Sequence, residues 1–257
     1  MKEYEALLNK GSQIAGAAVG GAVGSLAGPG GTLAGAAIGA AAGEACVVVL
    51  DDLAQRFLSP REEQRVGGVA ALAIEGIKER RLWEEVRDDD FFVRNGGASS
   101  PAEEIFEGVL LNAKQEHEEL KLPYLANFYT NLVFSPYIQR AEANYLLTMA
   151  EALTYQQFCL MSLVSQRAEF NLRSALWPMA GTISADSLDA AQQALYLYQR
   201  QLLISYSEEH GRGGFVYEVN LVLPCEAILS STGKRLVDLL GLNGIPKEEL
   251  RKLAAVL

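Results

Sequence analysis

Residues 11–50 read GSQIAGAAVGGAVGSLAGPGGTLAGAAIGAAAGEACVVVL, and Glu44 is the only charge in the stretch. Glycine recurs at every fourth position, at Gly16, Gly20, Gly24 and Gly28 and then, after Pro29-Gly30, at Gly31, Gly35, Gly39 and Gly43. Positions four apart share one helix face, so each half carries a ridge of bare backbone flanked by Ala, Val, Ile and Leu. Each glycine inside a helix costs about 1 kcal/mol relative to alanine. A run this regular therefore implies close approach of another helix, and in lipid small-xxx-small faces gain tight van der Waals contact. The pattern predicts a glycine-zipper helical hairpin of membrane type that turns at Gly28 to Gly31.

As helices, residues 12–28 rise about 25 Å and residues 31–50 about 30 Å, close to the ~30 Å hydrocarbon core of a bilayer. The turn, Ser25 to Thr32, is uncharged, while Lys2 and Lys10 precede the hairpin and Arg56, Arg61 and Arg65 follow it. Basic flanks around a neutral tip place both ends in the cytoplasm. The first arm is weakly apolar, with Ile14, Val19, Val23 and Leu26 as its large hydrophobes, which points to conditional or oligomer-assisted insertion. Glu44 in the second arm is costly facing lipid, so it snorkels, pairs or lines an aqueous lumen. The bland reading is a Gly/Ala-rich hairpin packing protein against protein. A secretory leader is disfavoured by the mixed charge of MKEYE and by a run too long and glycine-rich for an ordinary signal.

The net charge of −10 and pI of about 4.8 disfavour a general polyanion binder. Cys46, Cys159 and Cys225 lack paired spacing and read as reduced thiols, and the two histidines, His117 and His210, form no Cys/His cluster. At 257 residues the chain suggests three parts: the hairpin at 1–58, a helical bundle at 59–153 and a winged-helix-like α+β module at 154–257. The fold class is mainly α.

Ser59-Pro60-Arg61-Glu62 and Ser100-Pro101-Ala102-Glu103 each combine an N-cap serine, a proline at the first helical position and a glutamate reaching back. The first opens a helix to about Trp83, with Val66, Val69, Ala70, Ala73, Ile74 and Ile77 inward. The second opens a helix toward Pro123, with Ile105, Val109, Leu110, Ala113 and His117 on one face. Between them, Asp88, Asp89 and Asp90 read as a solvated loop whose Phe91 and Phe92 plug the core, in preference to a hard-cation site. Further helices are expected at 124–134, 140–153 and 155–168, the last capped by Thr154 and Gln157.

In the C-terminal part, a helix from Ser187 to about Leu202 precedes strands at 203–207 and 215–223 joined by a glycine-rich tip. Helices resume at 232–240 and 246–257. The helix in the recognition position carries Arg200 against Asp186 and Asp189, so no nucleic acid is expected as a partner. Self-association or a protein partner fits better. Ser230-Ser231-Thr232-Gly233-Lys234 lacks the glycine-rich cradle of a phosphate loop. No catalytic, cofactor-binding or metal residue is assigned, and an enzyme is not expected.

Leu58–Val66 (LSPREEQRV), the RDDDFF of 87–92, the run 102–132 from AEEIFEG to NFYTNL and the ANYLLTMAEALTYQQ of 143–157 resemble a group of uncharacterised bacterial proteins. More loosely, residues 58–168 are similar to the abortive-infection alpha family of helical phage-defence proteins. The matching positions are core and capping positions, so the resemblance implies a helical fold and carries over no site residue. Together with the hairpin it leads to the expectation of a bacterial membrane-acting, pore-forming effector of antiviral defence. Such an effector would oligomerise through the glycine ridges in the inner membrane, or wait in the cytoplasm until a protein sensor or trigger acts. The alternative expectation is a helical self-assembling scaffold or regulator with no pore activity.

Overall fold

The computed structural model describes residues 40–54, 56, 58–174, 184–207, 212–214, 216 and 218–257. Among them, nine helices and a small antiparallel sheet near the C-terminus form two compact units, one ending at Ala152 and one starting at Leu153. The glycine-zipper turn and most of the expected hairpin lie outside the described residues.

The first unit contains α1 (Ala40–Ala54), α2 (Pro60–Arg80), α3 (Pro101–Gln115), α4 (Leu122–Leu132) and α5 (Arg140–Ala152). Capping chemistry sets the starts: the Glu62 carboxylate accepts from the Ser59 N–H at 2.7 Å, and Ser100 Oγ accepts from the Glu103 N–H at 3.2 Å. Helix α3 is the hub, meeting α1, α2, α4 and α5, while α2 lies along α4. The α2–α4 crossing is close at Gly76, where a Cβ would stand 3.0 Å from both Cγ2 and Oγ1 of Thr130. The core is aromatic at its centre, with the Phe106 and Tyr129 rings 4.5 Å apart and both fully buried.

The second unit contains α6 (Tyr155–Ser165), α7 (Ala185–Gln199), β1 (Leu203–Ser207), β2 (Arg212–Gly214), β3 (Ala227–Leu229), α8 (Ser231–Leu240) and α9 (Lys247–Ala254). Helix α6 is buried along nearly its whole length and packs on α7, α8, α9 and β3. The sheet order is β2-β1-β3, both pairings antiparallel, with Ser205 opposite Gly214 on one side and Leu203 opposite Leu229 on the other.

Several expectations need correction. Helix α2 stops at Arg80, leaving Leu82 and Trp83 in the following turn, 85% and 73% exposed. Helix α3 stops at Gln115, because Glu116 is extended and pairs with buried Lys121 at 2.5 Å. His117 therefore lies beyond the helix and not on its inner face, and it is the surface histidine that its acidic neighbours Glu116, Glu118 and Glu119 lead one to expect. Pro123 sits in the first turn of α4 and opens that helix instead of ending its predecessor. Of the expected strand 215–223, the described residues 216 and 218–223 form no strand, and residues 219–221 form a 3-10 turn; β2 is Arg212–Gly214, and an unexpected strand, β3, completes the sheet. The cap of α7 is Ser184, not Ser187, with Ser184 Oγ accepting from the Ser187 N–H at 3.1 Å.

Candidate functional site

Helix α1 begins inside the stretch that the glycine period predicts as the second arm, 31–50, and the first unit holds it. Ala42, Ala45, Cys46, Val49, Leu50 and Leu53 recur at helical spacing, and each is no more than 5% exposed. Gly43 is buried with them, whereas Glu44 is exposed. These are the described members of the expected packing set: Gly16, Gly20, Gly24, Gly28, Gly31, Gly35 and Gly39 lie outside the described residues. The face packs on α3 and on the 3-10 turn Asp90–Phe92, whose Phe91 is 2% exposed.

Charged groups act on the helix at both ends, through salt bridges at one and longer-range attraction at the other. Just past its C-terminus, Arg56 bridges to Glu107 of α3 at 2.5 Å and pairs with Asp52 one turn back. At the other end, Glu44 lies within electrostatic reach of Arg94, which Glu103 holds at 2.7 Å. Glu103, first, and Glu44, more weakly, raise the already high pKa of that guanidinium. The carboxylate of the apolar stretch thus faces solvent beside a cation.

In the middle, Cys46 meets Tyr129 at the centre of the bundle. Burial pushes the Cys46 thiol up to about 12, an effect that the neighbouring Tyr129 hydroxyl partly offsets. Burial likewise pushes the Tyr129 hydroxyl well above its ordinary value, and that hydroxyl has no full hydrogen bond. A soft thiol is a poor replacement for water, so this contact marks a less than fully satisfied seam under α1. Sequence reading counted Arg56 only as flanking charge and missed Arg94, Glu107 and Tyr129, because no spacing rule links them to the glycine period.

The acidic loop resolves into structure. Arg87 binds Asp89 with two hydrogen bonds of 2.7 and 2.5 Å, donates to the Ile138 carbonyl at 3.1 Å and lies 4.2 Å over the Phe91 ring. Arg87 holds the Asp89 carboxylate below its usual range. Phe91 plugs the core as expected, while Phe92 is half-buried. A cavity of about 190 Å³ opens beside this knot, lined by Arg87, Asp90, Val93, Gln139 and Arg140 among others. Its two cations are engaged, Arg87 as above and Arg140 by Glu104.

In the second unit a cavity of about 480 Å³ lies between residues 171–174 and 254–257, and its cation Arg173 donates to the carbonyls of Leu257 and Val222. The Ser230–Lys234 run caps α8: Ser230 Oγ accepts from the Gly233 N–H at 3.0 Å. Among the described residues, no group of three or more His, Cys, Asp or Glu side chains is placed to hold a metal. No helix there is long and apolar enough to cross a membrane. No family model, curated protein or solved structure matches the chain.

Proposed function

We propose that this chain is a bacterial membrane-acting effector of the abortive-infection kind, assembled as a homo-oligomer through its glycine ridges. One observation carries the reading. Helix α1 is apolar on both faces up to Leu50: Val47 and Val48 are half-buried on its outer side, and Glu44 is its only charge before Asp51. A surface helix of a water-soluble bundle normally turns a polar face outward, and one that is apolar around its girth belongs in a core or a bilayer. This helix continues a stretch, Gly11 to Gly43, that holds no charge at all. The winged-helix-like second unit suits a protein partner or self-association, because the helix in its recognition position sets Asp186 and Asp189 against Arg200 and offers a polyanion little to grip.

A second reading rests on the docking itself. The buried face of α1 packs on protein, which favours a scaffold whose Gly/Ala arm mediates self-assembly away from lipid. Flotation with phosphatidylglycerol/phosphatidylethanolamine vesicles at neutral pH separates the two, using the whole chain and a chain of residues 40–257. The shorter chain keeps α1 and so leaves the α3 face covered. The effector reading expects the whole chain alone to float and to release vesicle contents, and expects Gly35→Ile with Gly39→Ile to lose both properties. Assembly in the aqueous fraction with no flotation decides for the scaffold.

A further inference from the structure

We infer that α1 is a latch: the bundle holds the root of the glycine arm, and the arm spans a bilayer only after α1 leaves α3. The inference rests on the membrane-effector reading and adds its control.

The same residues are claimed by two environments. On the hairpin reading the second arm is Gly31 to Leu50, which as a helix rises about 30 Å, matching the ~30 Å apolar core. The structure holds residues 40–50 of that arm as the first three turns of α1, with Ala42, Ala45, Cys46, Val49 and Leu50 buried against protein. Residues 31–39 alone would rise about 14 Å, roughly half the thickness required. A docked α1 and a spanning arm are therefore mutually exclusive.

The fastening also has the form of a device that opens. Its charged contacts are solvent-facing: the Arg56 and Glu107 side chains are 42% and 35% exposed, so the bridge is weak and screened by salt. The buried contact between Cys46 and Tyr129 lacks a full hydrogen bond on the tyrosine side. In sequence, five residues separate the end of α1 at Ala54 from the start of α2 at Pro60. Release removes α1 without touching the packing of α2 on α4, which holds the rest of the unit.

The test reads position 53: Leu53 is 1% exposed when α1 is docked and lies beyond the apolar stretch that ends at Leu50, so a thiol there meets water once the arm spans. Three chains that all carry Leu53→Cys, one with no other change, one with Glu107→Lys and one with the charge-reversed pair Arg56→Glu and Glu107→Lys, are incubated at neutral pH with phosphatidylglycerol/phosphatidylethanolamine vesicles. A maleimide probe is then added, and its attachment to each cysteine is read by peptide mass spectrometry in floated and unfloated fractions. The expected result is labelling at position 53 in the floated chain and protection there in the unfloated chain. Glu107→Lys should raise both flotation and labelling about two- to fivefold, the range an exposed ion pair carries, and the reversed pair should bring both back toward the starting rates, short of them because Asp52 repels a carboxylate at position 56. Floated chain protected at position 53, or equal labelling in all three chains, overturns the latch and leaves the membrane reading standing. Flotation by none of the three overturns the membrane reading and the latch together.

Discussion

Helices α1 and α8 each bury one face against a helical neighbour, yet their outer faces differ in kind. On α8, Leu236, Val237, Leu239 and Leu240 go inward, and Lys234, Arg235 and Asp238 go outward. On α1 up to Leu50, the residues left outside are Ala41, Glu44, Val47 and Val48. A helix with three charges in one outward turn has a single favourable position, with that face in water. A helix with one charge and two valines outward loses little if protein on its inner face is exchanged for lipid. The difference teaches that burial of a face identifies packing, whereas the opposite face shows whether the packing is permanent.

The sharpest break of the comparison lies on the α8 side. A Cβ at Gly233 would stand 2.2 Å from the Leu202 carbonyl oxygen, and the Ser230 N–H already bonds that same carbonyl at 3.0 Å. Backbone cannot yield there as a side-chain tip would, so Gly233→Ala should cost roughly 3 kcal/mol or more. Urea denaturation followed by helix signal is the measurement, and a loss below about 1 kcal/mol would show that α8 is not rigidly seated.

A smaller and more selective effect is expected from Leu53→Ala. Leu53 is 1% exposed at the last turn of α1 and lies beyond the apolar stretch that ends at Leu50. Its truncation should weaken docking by roughly 2–3 kcal/mol, and Cys46 labelling should accelerate roughly 30- to 150-fold while the urea midpoint moves less. Local opening at lower free energy than global unfolding is what a detachable element shows. Equal losses by labelling and by urea would make α1 as permanent as α8 and erase the distinction.

Local chemistry was largely legible without tertiary information. Ser59 with Glu62, Ser100 with Glu103 and Thr154 with Gln157 cap the helices that their spacing announces, because a cap satisfies N–H groups within one turn. Long-range pairing was not legible. Ser205 to Ser207 of β1 pair with Arg212 to Gly214, so pairing across the sheet places glycines, poor strand formers by propensity, in β2. β3 is three residues long and holds its place through Leu203 and Ser205 across the sheet. The same limit applies to the docked root of the arm. Glycine period and hydropathy describe what α1 tolerates, but the Arg56–Glu107 bridge joins residues 51 positions apart and exists only in the folded unit.

Alkali gives the mildest test of the comparison per unit of pH and bears on how membrane association should be measured. The folded Cys46 thiol is raised to about 12 from an ordinary value of 9.0. A raised acid pKa means the folded state holds its proton where the unfolded chain has lost it. The contribution is complete below pH 9 and is lost as pH rises from about 9 to 12, at about 1.4 kcal/mol per unit. The stability gap between the native chain and Cys46→Ala should accordingly narrow by about that amount from pH 9.5 to 10.5, as read by urea midpoints. The second unit carries its own raised thiol, Cys159, also near 12, so both units soften, but Cys46→Ala removes only the α1 share. A gap independent of pH would place Cys46 in water and undo the docked geometry. The sign has a practical consequence: an alkaline wash, often used to define integral membrane proteins, itself weakens the contact that holds α1. Neutral flotation is therefore the measurement in which any membrane association is free of opening caused by the wash itself.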